Sequence, residues 1–334
     1  MESTLKRGEL DALAQAYSLN PAATEAMLDL AGVRPTRAAG LEFISRCLRY
    51  GGVLSLAAAL VFFVAANWSK FAVFGRFALL EIVLVALVVL ALFKPPPRFV
   101  GRGALFLAFI TTGALLALFG QTYQTGADVY ELFLTWALLG LPLAIVGQWG
   151  VTSAAWVLVL NTALLLFCGW NPHGGVLWVV FDGNRFTASD AILAAGVLNL
   201  LLWFGFEKLS LRAVPDWVRR LILSCAFVFL TWAGVLGVIE DHDFGGEHIV
   251  LAIIVPTLAI LAVGAYALRQ RGDIYPLAVV MSSFVVVVMC WIPQASGSDE
   301  TTFFMMALWL IGASTVGGRV LTLLMRQWRA ERAA

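Results

Sequence analysis

Charge is scarce in this chain. Of 334 residues only 13% are Asp, Glu, Lys or Arg, against 61% hydrophobic, a balance far outside that of water-soluble domains. Water is therefore not the solvent for most of it. Three histidines and four cysteines are all that could ligate a soft metal. Cys47, Cys168, Cys225 and Cys290 stand singly in apolar runs, with no CxxC pair and no zinc-ligand spacing. A structural metal or a disulfide framework is thus not expected, although Cys168 and Cys290 could bridge if both lay at an oxidising outer face. No GxSxG, HExxH, phosphate-binding loop or dinucleotide fingerprint falls in a suitable context. The expectation is accordingly no catalytic residue, no cofactor and no metal. Basic residues form no patch for nucleic acid, and no secretory leader is expected, because the polar segment before the first apolar run extends to Arg46.

What the chain has in abundance is long apolar runs. A helix needs roughly 20 mostly apolar residues to cross about 30 Å of hydrocarbon. That ruler gives about ten spans, near 47–66, 72–93, 103–121, 129–147, 151–169, 189–206, 219–239, 248–268, 274–293 and 302–324. Barrel strands would be shorter and would alternate in polarity, whereas Val83 to Leu92 is apolar throughout, so helices are the only structure that satisfies the backbone. The expected fold is an all-α polytopic membrane bundle. Its predicted parts are a helical cytoplasmic segment at 1–46, a transmembrane domain at 47–326 and a tail at 327–334. The uncharged connection Gln148-Trp149-Gly150 would have to be a very tight turn.

Loop charge predicts orientation. With the N-terminus inside, 18 of the 22 Lys and Arg residues fall on the cytoplasmic side, while Asp128, Glu131, Asp182, Asp190, Glu240, Asp241, Asp243, Glu247, Asp299 and Glu300 fall outside. This is the asymmetry of an even number of spans in a bacterial inner membrane with both termini cytoplasmic. Within the first segment, Asn20 followed by Pro21 reads as a helix start, and Gly32 as its end. The apolar residues there are too few for a core, which leaves packing on the bilayer or a partner.

Polar residues inside apolar runs are the candidates for function. Glu81 falls near the middle of the second span, where an acid costs roughly 2.5 to 3.5 kcal/mol on insertion scales. Such a residue is expected to face protein or a hydrated cavity, on an ion or proton path or as a packing pair. Arg76 is off its helical face and reads as an interfacial anchor. The segment GQTYQTGADVYELF places Gln121, Tyr123, Gln124, Asp128, Tyr130 and Glu131 between two spans. Asp128 and Glu131 have capping-box spacing, yet Asp128, Glu131 and Thr135 also form an i, i+3, i+7 stripe that could line a site open to the outer face. Asn161 and Asn199 interrupt apolar spans as interhelical glue or as site residues. The acidic loop Glu240 to His248 and the lone His173 match no metal-ligand pattern. Trp68, Trp149, Trp170, Trp217 and Trp328 fall at span ends, as in an aromatic belt.

Two stretches resemble a family of bacterial membrane proteins known as domain of unknown function 2157. They are RYGGVLSLAAALVFFVAANW, ending at Asn67 and Trp68, and GQTYQTGAD with the following LFLTWALLGLP. The resemblance covers about residues 10–150 and implies a short cytoplasmic helical segment ahead of several spans. It implies no activity. The chain therefore reads as a transporter-like or channel-like protein handling a small solute, ion or lipid, with Glu81 and Gln121 to Glu131 on one path. The other reading is a scaffold or subunit in which polar residues only set packing, with a membrane-protein partner or a second copy beside the bilayer. Ten spans would divide into two five-span halves, which would be inverted repeats.

Overall fold

In hydrocarbon a backbone N–H or C=O has no water to bond, so each long run of Leu, Val, Ile, Ala and Phe must satisfy its own amides as a helix. The computed structural model describes residues 7–31, 37–66, 72–123, 126, 128–169, 188–208, 214–239, 246–270, 273–297 and 300–333. Among these there are twelve helices and no strand. They are α1 (Arg7–Ala16), α2 (Pro21–Leu30), α3 (Arg37–Ala66), α4 (Val73–Phe93), α5 (Phe99–Tyr123), α6 (Val129–Gly147), α7 (Gly150–Gly169), α8 (Ala188–Lys208), α9 (Asp216–Ile239), α10 (Gly246–Gln270), α11 (Tyr275–Ser296) and α12 (Glu300–Ala333). Ten of them, α3 to α12, are long and apolar enough to cross a membrane. The protein is a polytopic helical membrane protein.

Helix ends and hydrocarbon ends do not coincide. α3 begins at Arg37, well before the apolar run at Cys47, and its first turns carry the Glu42–Arg46 pair. α12 runs past Leu324 to Ala333, with Gln327 donating to Glu331 at 3.2 Å. Hydrophobic thickness limits the apolar part of a helix, while flanking Arg, Glu, Gln and Ala continue the ladder because they are good helix formers. At α2, Asn20 caps the first turn by accepting from the Ala23 amide at 2.7 Å, with Pro21 in the first helical position. Gly32 lies outside the described residues. The tight turn is present: Gln148 takes the left-handed conformation at φ 45° and α7 starts two residues later.

The chain forms two compact units, Met1–Ser69 and Lys70–Ala334. In the first, Leu10, Ala14 and Leu28 are the buried apolar residues of α1 and α2, which pack on each other. In the second, α4 to α7 pack each on the next, α7 passes the chain to α8, and α9 is the hub, touching α7, α8, α10 and α11. α9 can be surrounded because its neighbours come close at small residues. A Cβ on Gly196 would lie 2.8 Å from Leu230, and one on Gly237 would lie 2.9 Å from Ala252. Val218, Ile222, Leu223, Ala226, Leu230 and Ala233 of α9 are all fully buried.

This packing does not repeat as two equivalent halves among the described residues. α9 packs extensively on α11, whereas the corresponding α4 and α6 have no comparable contact. The cause lies in where the small residues sit. Gly140 of α6 faces α5, so α6 has spent its close approach on the adjacent helix.

Candidate functional site

The joint between α5 and α6 is built from two glycines and two rings. Phe109 of α5 lies over Gly140, where a Cβ would come within 2.4 Å of the ring, and Trp136 of α6 lies over Gly113, where a Cβ would also come within 2.4 Å. The two rings touch at 5.3 Å between centroids, and the Trp136 indole donates to the Phe109 carbonyl at 2.9 Å. Each helix thus presents a ring to the other's bare backbone. Pro142 withdraws an amide from the α6 ladder, and just before it Trp156 of α7 donates its indole N–H to the Ala137 carbonyl at 2.8 Å. Of these, Trp136, Ala137, Gly140 and Pro142 belong to the LTWALLGLP stretch. Their role is to hold α5, α6 and α7 in register.

Above this joint, where α5 closes and α6 opens, lies a cleft of about 640 Å³. Gln121, Asp128, Glu131 and Thr135 supply its polar side, and Leu116, Phe119 and Leu132 its apolar wall. Asp128 occupies the N-cap of α6, and its carbonyl accepts from the Glu131 amide at 3.0 Å, but its side chain makes no capping hydrogen bond. The carbonyl bond is the ordinary first bond of the helix, so the Asp128 carboxylate is not used up in capping. The Glu131 carboxylate accepts instead from the Tyr130 hydroxyl at 3.3 Å, and the Tyr130 ring is buried against Phe167 of α7 at 5.2 Å. A buried ring thereby holds one of the two carboxylates at the cleft. Tyr123 lies outside the lining, exposed and stacked on Phe119 and Phe77 at 4.8 and 6.1 Å.

The other sequence candidates stand apart from this cleft. Glu81 is exposed on α4 and does not line it. Asn161 is paired across helices: its amide donates to Asn199 at 3.1 Å, and that of Asn199 donates back at 2.9 Å. The remaining donor of each goes to its own helix, to Val157 and Ala195. Asn199 is fully buried, so the pair is a satisfied clasp between α7 and α8. Gln124, Asn67, Trp68, Trp170, His173, the loop at 240–245 and most of the connection 170–188 lie outside the described residues. All four cysteines are free. Trp149 and Trp328 are buried in packing, the first edge-on to Phe99 and Phe106 at 5.9 and 5.8 Å, so neither sits in a lipid-facing belt. Among the described residues no cluster of His, Cys, Asp and Glu could hold a metal.

A second polar cluster escaped sequence reasoning. It lies at the opposite end of the bundle, around a cavity of about 290 Å³ lined by residues from α8 to α11. Glu207 accepts from Arg219 and from the Tyr266 hydroxyl, both at 3.2 Å, and Arg219 also pairs with Asp216. Arg220 is bidentate to Asp273 at 3.0 and 3.1 Å and stands 5.4 Å over the Tyr275 ring. The Asp216–Arg219 spacing could have been read from the sequence as an i, i+3 pair. The Arg220–Asp273 pair could not, since it joins residues far apart in the chain.

No curated protein and no solved structure matches the chain. Residues 11–152, which contain the whole α5–α6 joint and its cleft, match the model of the family described as Predicted membrane protein (DUF2157).

Proposed function

We propose that this membrane protein is transporter-like and takes up a small solute carrying both a positive charge and an apolar body at the α5–α6 cleft. The observation that carries the reading is the cleft's composition: two carboxylates, Asp128 and Glu131, with Gln121 and Thr135, over a wall of Leu116, Phe119 and Leu132. Its volume is in the range of pockets that enclose small molecules, and carboxylates beside low-dielectric walls concentrate cations. The sidedness of basic residues in the sequence supports an inner-membrane orientation with both termini cytoplasmic, which puts this cleft on the outer face.

The test uses purified protein in detergent, with benzylamine and tetraethylammonium as cationic probes and benzyl alcohol and benzoate as controls. Benzylamine is expected to raise the melting temperature more than either control. The Asp128→Asn/Glu131→Gln double variant should lose that difference while keeping its own melting temperature. Equal shifts for amine and alcohol, or a double variant that still prefers the amine, would overturn the proposal. A second reading, a scaffold whose polar residues only set packing, is favoured by the satisfied Asn161–Asn199 clasp. It predicts no shift with any of the four probes.

A further inference from the structure

An apolar groove of about 710 Å³ lies between α10, α11 and α12. Its walls include Ile260, Met281, Phe284, Met305, Leu308 and Trp309. The indole N–H of Trp309 is turned inward to the Val285 carbonyl at 3.1 Å, so the ring offers the groove only its hydrocarbon. Gly312 opens the wall, since a Cβ there would meet nothing within 4 Å. From Met305 to Gly317 the α12 side extends about 18 Å at 1.5 Å per residue, roughly half the hydrocarbon thickness. An open apolar channel of that length, in a helix face at membrane depth, has lipid tails as its solvent.

The face does not end in hydrocarbon. Arg319 follows Gly312 by seven residues and Val316 by three, which puts it about 20° around α12 from Gly312, on the same stripe at the groove's end. It is exposed, lies within the membrane-spanning helix, and has no hydrogen bond or ion pair with any described residue. Helical side chains lean toward the N-terminus of their helix, so Arg319 leans toward the groove and away from Arg326, about 10 Å further along the helix. A guanidinium at that depth is costly without a counter-charge, and its planar donor fork matches a phosphate.

We propose that the α10–α11–α12 groove is a binding site for an anionic phospholipid, one acyl chain lying along Met305 to Gly317 and the phosphodiester on Arg319. The site is separate from the α5–α6 cleft and does not depend on the function assigned there.

The experiment uses delipidated full-length protein in a neutral detergent, with native mass spectrometry counting bound phosphatidylglycerol against phosphatidylcholine of the same chains. Wild type is expected to bind phosphatidylglycerol about tenfold more tightly than phosphatidylcholine. Arg319→Gln should abolish that preference and Arg319→Lys should restore part of it. Gly312→Leu, whose Cβ would meet nothing within 4 Å and whose side chain extends into the groove, should weaken both lipids equally. Equal binding of the two lipids by wild type, an unchanged preference in Arg319→Gln, or unchanged binding in Gly312→Leu would each overturn the proposal. Size-exclusion profiles matching wild type are required of every variant, and a misfolded Arg319→Gln is replaced by Arg319→Leu.

Discussion

Gly113→Ala is the most demanding test of how this bundle is held together. The new methyl would lie 2.4, 2.5 and 2.7 Å from three atoms of the Trp136 ring, where carbon atoms prefer about 3.5 to 4.0 Å. The ring must therefore retreat by about 1 Å, and it cannot do so alone, because it is tilted against Phe109 and bonded to the Phe109 carbonyl. Overpacking of this kind costs about 1–3 kcal/mol, and a lost hydrogen bond adds about 0.5–1.5 kcal/mol. The expected destabilisation is about 2–4 kcal/mol. Reversible unfolding in mixed micelles measures it, with Gly312→Ala as the control, since that methyl meets open space and should be neutral or slightly stabilising. Trp136→Phe frees the space, so the double variant should recover part of the loss, with a coupling of at least about 1 kcal/mol. A Gly113→Ala variant within 0.5 kcal/mol of wild type, or strictly additive single and double variants, would refute the close-approach account of the α5–α6 joint.

Asn199→Leu leaves the Asn161 amide without its interhelical partner at a half-buried position, and should cost about 1–3 kcal/mol, whereas Asn161→Leu/Asn199→Leu should be closer to wild type. The same unfolding assay checks it, and a double variant less stable than both singles would contradict the clasp. Arg219→Gln breaks both the Glu207 and the Asp216 pairs. Those side chains retain 28–72% exposure, so solvent screens the pairs and the loss should stay below about 1 kcal/mol; a loss above about 3 kcal/mol would show that the cluster acts as a buried network.

The membrane class, the helical nature of the runs, the number of long apolar helices and the tight turn at Gln148 were legible because hydrocarbon length and backbone satisfaction act locally along the chain. Asp128 at the start of α6 was legible for the same reason, as a cap position beside a turn. The destination of Glu81 was not. Its cost in lipid is evident from its position, but whether α4 turns it toward the α5–α6 cleft depends on helix rotation, which only packing at Leu80 and Ala91 sets. Asn161 is a similar case: interruption of an apolar span marks it as polar glue, while its partner Asn199 is chosen by the crossing of α7 and α8.

By itself the sequence determined that ten of the described helices are long and apolar enough to cross a bilayer, because the free energy of an apolar residue in hydrocarbon depends on that residue and its near neighbours alone. Tertiary structure decided which helices touch. Bare backbone at Gly113, Gly140, Gly196 and Gly237 admits a particular ring or side chain from a particular neighbour, and lipid gives no preference of its own between one apolar helix face and another. The same shape complementarity decided that Asp128, Glu131, Gln121 and Thr135 share a cleft, that Glu207, Arg219 and Tyr266 meet at the far end, and that Arg319 stands at the end of an open groove.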